Sequence, residues 1–134
     1  MKLSQIALIT AACGFAGFGV ACLTDPGILN RVDVRARSRQ ATTELRAMYG
    51  GLELGLGAFF LAAAFKPEWK KTALLAESLG LGGLAASRLA GILIDRPDGL
   101  LMKAFFAAEA ATALAGIVAL IVERQETHVQ APAA

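Results

Sequence analysis

Four long apolar segments, separated by polar stretches, make up most of this chain. Each is close to the length of about 20 apolar residues that a helix needs to cross a bilayer. The polar stretches between them contain Pro, Gly and Asp, which end helices and form turns. The pattern therefore predicts an all-α protein, an antiparallel bundle of four transmembrane helices. The predicted spans are residues 3–23, 43–65, 72–94 and 100–122.

The three connections between the spans differ in length. The turns at 66–71 and 95–99 are short, so the second, third and fourth helices are expected to be sequential antiparallel neighbours. The connection at 24–42 is long and polar, and it is either a solvated basic loop beside anionic headgroups or a segment that includes a short interfacial helix. Residues 123–134 are predicted to be a disordered polar tail, which leaves a single domain over 1–122. The basic residues of the long connection are Arg31, Arg35, Arg37 and Arg39.

Composition supports a membrane protein. The chain has 134 residues, of which 56% are hydrophobic and 18% charged, and this is too apolar for an ordinary soluble domain. A net charge of +2 with few aromatic residues argues against nucleic-acid binding. Cys13 and Cys22 lie on opposite sides of one helix and are not expected to bridge. No metal or cofactor site is predicted, and the balance of basic residues leaves the membrane orientation open.

The charged residues inside the spans are the most informative positions. A charge at bilayer depth costs roughly 2.5 to 3.5 kcal/mol, so such residues usually face the bundle interior and pair. On the third helix, Glu77, Arg88 and Asp95 share one stripe at helical spacing, and on the fourth Glu109 shares a stripe with Met102. Arg88 lies roughly 7 Å from the bilayer centre by the helical rise, on the side of the long connection. The carboxyls of Glu53 and Glu109 lie near the bilayer centre, in the same half of the membrane as Arg88.

We expect Arg88 to bridge Glu53 and Glu109, because an arginine fork can satisfy two carboxylates at once. Two interpretations stay open for this cluster. The network either fixes the register of the helices, or it forms a pocket that holds a lipid headgroup, a quinone or a small metabolite. The other members of the predicted cluster are Arg46, Tyr49 and Asp95.

Three other ionisable residues have an ordinary interpretation. Glu44 and Glu77 are each expected near the start of a helix, where the helix dipole favours a carboxylate. His128 lies in the polar tail and is expected to be incidental.

Glycine and serine residues recur at four-residue intervals on the second and third helices. Small residues at this spacing are typical of closely packed membrane helices. We expect them to pack helices within a subunit or between subunits, in a homo-oligomer or against another membrane protein, with membrane lipids around them. The predicted packing residues are Gly50, Gly51, Gly55, Gly57, Gly83, Ser87 and Gly91.

Two segments carry a resemblance to a known family. ELRAMYGGLELGLG at 44–57 and LGLGGLAASRLAGILID at 79–95 resemble the bacterial family catalogued as domain of unknown function 4345, which is similar to the DoxX-like group. The resemblance implies a four-helix protein of the bacterial inner membrane. Some DoxX-like proteins take part in quinone-linked sulfur oxidation, and a distantly similar eukaryotic group assists receptor assembly. Neither role transfers by residues, since this chain has no paired cysteines and no histidine in a span.

The sequence therefore predicts a non-enzymatic helix-packing, assembly or chaperone-like membrane protein. The alternatives are a membrane-embedded site for a small ligand, or a small oligomeric transporter in which buried carboxylates relay protons. Catalysis stays open, but the sequence supplies neither a substrate nor a second reactive group.

Overall fold

The computed structural model describes residues 1–129, and their side chains through residue 125. The described chain is helical and contains no strand, and it has four helical segments long and apolar enough to cross a membrane. The predicted all-α class with four such helices is confirmed. A 3-10 helix at Pro26–Val32 follows the first helix, and a π-helical turn at Ala47–Gly51 joins the second to the third. The α-helices are α1 Leu3–Thr24, α2 Arg39–Arg46, α3 Leu52–Phe65, α4 Pro67–Asp95 and α5 Leu101–Val129.

The second membrane-length segment comprises α2, the π-helical turn and α3, and it begins earlier than predicted. Ser38 caps α2, because its hydroxyl accepts a hydrogen bond from the Ala41 amide at 3.1 Å. The predicted start at residue 43 is therefore four residues late. Glu44 lies in the second turn of the helix, so its predicted place in the first turn is wrong. Hydrophobicity marks only the lipid-facing length of a helix, whereas α2 begins with a polar turn.

Capping by Ser38 leads to a stability prediction. Ser38→Ala is expected to lower the free energy of unfolding by about 1 kcal/mol, since it removes the acceptor for an exposed helix amide. Thermal unfolding in detergent measures this loss. Ser38→Asp supplies another capping oxygen and is expected to stay near wild type. Equal unfolding temperatures for the alanine variant and wild type would show that the cap contributes nothing.

The last two helices also differ from their predicted bounds. Pro67 is the first residue of α4. Proline favours this position because the amide hydrogen that it lacks would have no acceptor in the helix there. The predicted turn at 66–71 is thus mostly helix, and the Lys66 ammonium lies 4.1 Å from the centre of the Trp69 ring. α5 continues to Val129, beyond the predicted end of the fourth span at residue 122. The rest of the predicted tail lies outside the described residues.

The long connection contains a short helix. Asp25 caps the 3-10 helix by accepting a hydrogen bond from the Gly27 amide at 2.9 Å. Asp33 ends that helix in the left-handed conformation, with a φ of 58°. Its exposed carboxylate pairs with Arg35 at 3.0 Å. Of the two interpretations of this connection, the one that includes a short helix agrees with the structure.

Contacts divide the chain into two compact units, one of Met1–Leu8 with the chain from Ala63 onward, the other of Ile9–Ala62. In the first unit, α4 and α5 pack antiparallel along their length, with buried alanines and leucines such as Leu74 and Ala113. In the second unit, the rest of α1 packs against α3, where the Phe15 and Phe60 rings lie 5.4 Å apart. Four polar residues of the first unit lie along the contact between α4 and α5, namely Glu77, Ser78, Arg88 and Glu109.

Candidate functional site

Arg88 and Glu109 form a closed ion pair between α4 and α5. The Arg88 Nε donates to Glu109 Oε2 at 2.8 Å, and its Nη2 donates to Oε1 at 2.6 Å. The side chains are 25% and 15% exposed, respectively. A two-point fork of this kind is among the stronger charge-assisted contacts, and its planar geometry fixes the rotation and register of both helices. The sequence placed these two residues on facing stripes, and the structure brings them together.

The guanidinium of Arg88 also contacts two apolar side chains of α5. Its Nη1 lies 3.6 Å from the Met102 sulfur, a weak acceptor. Its central carbon lies 5.3 Å from the centre of the Phe105 ring, within cation–π distance. Phe105 lies one turn before Glu109 and Met102 lies two turns before it, on the same face of α5. One face of α5 thus surrounds the arginine with a carboxylate, a thioether and an aromatic ring.

Glu77 is buried in the contact between the same two helices. Its side chain is 1% exposed, and neither carboxylate oxygen has a hydrogen-bond partner among the residues that the structure describes. Because α4 begins at Pro67, Glu77 lies in the third turn, and its predicted role near the helix start is wrong. Burial of Glu77 is the main feature of the site that the sequence analysis missed. Its place on the stripe with Arg88 was a signal that could have found it.

Gly116 on α5 gives Glu77 and Ser78 the space they occupy. A Cβ at Gly116 would lie 2.6 Å from the Ser78 hydroxyl oxygen and 3.5 Å from Glu77 Oε2. The Ser78 hydroxyl donates to the Leu74 carbonyl of its own helix at 2.7 Å. A side chain at position 116 would therefore displace polar groups of α4. We call Glu77, Ser78, Arg88, Glu109 and Gly116 the α4–α5 seam.

A further polar contact lies beyond the seam in the same unit. The buried Ser4 hydroxyl donates a short hydrogen bond to Glu123 Oε1. Glu109, Gly116 and Glu123 are spaced seven residues apart, which places them on one face of α5. The sequence analysis had assigned Glu123 to a disordered tail and so missed both the contact and the row.

Two of the predicted cluster residues of the second unit, Arg46 and Tyr49, have partners within that unit. The Arg46 Nε donates to the Leu23 carbonyl at 3.1 Å, in the last turn of α1, where carbonyls lack helical partners. The Tyr49 ring lies edge-on to Phe18 at 6.5 Å, and Glu53 is half-buried in the first turn of α3. Pairing of Glu53 and Tyr49 with Arg88 stays a prediction. In the first unit, Asp95 is exposed at the end of α4.

The glycines of the second unit fall into two groups. A Cβ at Gly50 would lie 3.0 Å from Leu23 Cα, and one at Gly57 would lie 3.1 Å from the Ala12 carbonyl oxygen. A Cβ at Gly19 on α1 would lie 3.0 Å from atoms of α3 and of the π-helical turn that precedes α3. The sequence analysis did not predict this contact. Added carbons at Gly51 and Gly55 would meet nothing within 4 Å, so these glycines make no close contact with another helix of their own unit.

The glycine row of α4 is similarly open. A Cβ at Gly83 would meet nothing within 4 Å, and Ser87 beside it is exposed. An added carbon at Gly91 would contact only the Asp95 side chain of its own helix, at 3.7 Å. Packing of this row within the chain is therefore not observed. Packing of these residues between subunits stays a prediction.

The comparison with family models gives one match, to the domain of unknown function DUF4345, over residues 3–120. The chain belongs to this family. Searches of curated proteins and of solved structures gave no match. The resemblance drawn from the sequence of the second and third spans is thus confirmed at the level of the family.

The seam of this DUF4345 chain offers a closed ion pair and a buried carboxyl. Within residues 1–129, no group of three or more His, Cys, Asp or Glu side chains is placed to hold a metal ion. Cys13 and Cys22 are both free thiols, the first exposed and the second buried.

Proposed function

We propose that this chain is a non-enzymatic, multi-pass protein of the bacterial inner membrane that packs helices and assembles with a second copy of itself. The observation that carries the proposal is the closed fork between Arg88 and Glu109. A charged group that serves only to join helices needs a partner on the facing helix, and this arginine has one. The DoxX-like relationship suggested by the sequence belongs to the same proposal.

The closed fork favours packing over ligand binding at Arg88. An anionic ligand would have to replace Glu109 as the acceptor of two charge-assisted hydrogen bonds from Arg88, and the displaced carboxylate would then remain in the membrane without its partner. A neutral ligand would gain little from the guanidinium while the fork is intact. The fork therefore supports a role in holding α4 against α5.

The open glycines of the second span support association with another copy. Gly51 and Gly55 lie on one face of the span, and the exposed side chains of Met48 and Leu52 flank them. Glycine reduces helix stability unless a neighbour uses the close approach that it permits. Two copies related by a two-fold axis would place the same glycine face against itself, and two-fold dimers are the commonest closed assemblies.

Disulfide crosslinking in native membranes tests the association. Leu52→Cys, with Cys13 and Cys22 replaced by Ala, is expected to give a covalent dimer on mild oxidation. Leu84→Cys on α4 is the matched control, because its leucine is 46% exposed against 51% for Leu52. The control is expected to stay monomeric. Monomer alone from both variants, or equal dimer from both, would contradict the proposal.

A second candidate function is a binding site inside the membrane, for a lipid, a quinone or a small metabolite, or a small oligomeric transporter. The specific observation that favours this class is the buried, unpartnered carboxyl of Glu77. Asp and Glu at membrane depth are rare and often mark ion or proton pathways. Bound organic ligand in native mass spectra of the purified protein, lost in Glu77→Ala, would favour this candidate over helix packing.

A further inference from the structure

Glu77 presents a problem that helix packing alone does not solve. An ionised carboxylate that is buried without hydrogen-bond donors is unstable in a protein interior. It is less stable still in lipid, because no water is present there to donate hydrogen bonds in place of the protein. Glu77 is 1% exposed, and no described donor reaches either oxygen. The Glu77 carboxylate is compatible with the bilayer when a positively charged species neutralises its negative charge.

The space beside Glu77 decides which positive species fits. On the α5 side, a Cβ added at Gly116 would lie 2.6 Å from the Ser78 hydroxyl oxygen, which is closer than two unbonded atoms can approach. Metal cations such as Ca²⁺ and Mg²⁺ take about six or more oxygen ligands, whereas the carboxylate and Ser78 supply three oxygens. A proton needs neither the space nor the additional ligands. The geometry therefore favours a proton over a metal ion or an organic cation.

The charged residues nearest to Glu77 along α4, and those nearest to Gly116 along α5, lie at a distance from this site or have partners of their own. On α5, Glu109 and Glu123 are each about 10 Å along the axis from Gly116. Glu109 is held by Arg88, and Glu123 by Ser4 from the start of α1. On α4, Arg88 lies about 16 Å further along the helix. The nearest basic residues in the other direction along α4 are Lys70 and Lys71, about 10 Å away.

We propose that Glu77 is a proton-binding site inside the bilayer, which keeps its proton while α4 and α5 are packed around it. The proton comes from water and returns to water when the seam opens, and no other bond is formed or broken. The neutral acid needs no donor on the facing helix, which agrees with the glycine at position 116. This proposal is independent of self-association and stands or falls separately.

Infrared spectroscopy of the full chain in lipid vesicles at neutral pH tests the proposal. A protonated carboxyl has a carbonyl stretching band separate from those of carboxylates and amides. We expect wild type to have this band, Glu77→Gln to lack it, and Glu44→Gln to keep it, since Glu44 is exposed. A band of equal intensity in wild type and Glu77→Gln, or no band in wild type, would overturn the proposal.

A second variant serves if Glu77→Gln does not fold. Glu77→Met has a similar length and no ionisable oxygen, so it is expected to fit the buried site between α4 and α5 and to lack the carbonyl stretching band. A band of the same intensity in wild type and Glu77→Met would overturn the proposal.

Discussion

Arg88→Ala is expected to lower the free energy of unfolding by about 3 kcal/mol, measured by thermal or denaturant unfolding in detergent. The substitution leaves Glu109 in the seam without the partner that its carboxylate contacts at two points. Removing one member of a buried ion pair costs about 3 to 5 kcal/mol, and the partial exposure of both side chains places this pair near the lower end.

Two variants control for the interpretation of Arg88→Ala. Arg88→Lys retains the charge but cannot form the planar fork, so an intermediate loss is expected. Arg37→Ala removes an arginine that is exposed in the long connection and is expected to leave stability unchanged. If Arg88→Ala were as stable as Arg37→Ala, the fork would contribute nothing to the fold.

Gly57→Leu is expected to destabilise the packing of α1 against α3 by about 2 to 3 kcal/mol, since overpacking a close contact has costs of this order. Even its first added carbon would lie 3.1 Å from the backbone oxygen of Ala12 and the backbone nitrogen of Ala16. Backbone atoms of a helix cannot move aside as the end of a flexible side chain can. Unfolding in detergent is again the measurement.

Gly55→Leu is the matched control for Gly57→Leu. It adds the same atoms to the same helix two residues earlier, at a position where a Cβ would meet nothing within 4 Å. It is expected to leave the stability of the single chain near wild type and to abolish the Leu52→Cys crosslink. A loss of stability equal to that of Gly57→Leu would mean that the loss does not come from the contact with α1, since leucine by itself favours the helix more than glycine does.

The membrane-length helices and the Arg88–Glu109 pair could be predicted because both follow from strong constraints. An apolar run of sufficient length has few alternatives to a spanning helix. An arginine and a glutamate at similar depth on facing helices reduce their cost in lipid by pairing. Helical spacing and depth were therefore sufficient to bring these two side chains together.

Other features depend on information that a single sequence does not contain. Gly50, Gly51, Gly55 and Gly57 look alike as glycines, and which of them meets α1 depends on the position of the neighbouring helix. Glu77 follows a polar segment, so the sequence predicts a place near the start of its helix, whereas the helix begins at Pro67 with Lys66 in the capping position. Helix ends were misjudged for the same reason, since hydrophobicity does not report capping.

The most direct test of the account is a double-mutant cycle on Arg88 and Glu109, which measures whether the fork joins α4 to α5. Arg88→Ala, Glu109→Ala and the double variant are compared with wild type by their free energies of unfolding in the same detergent. We predict a coupling energy of at least about 1 kcal/mol, within the range for residues that share one ion-pair network. Additive losses, with no coupling beyond error, would contradict the central claim that this polar pair holds the helices together.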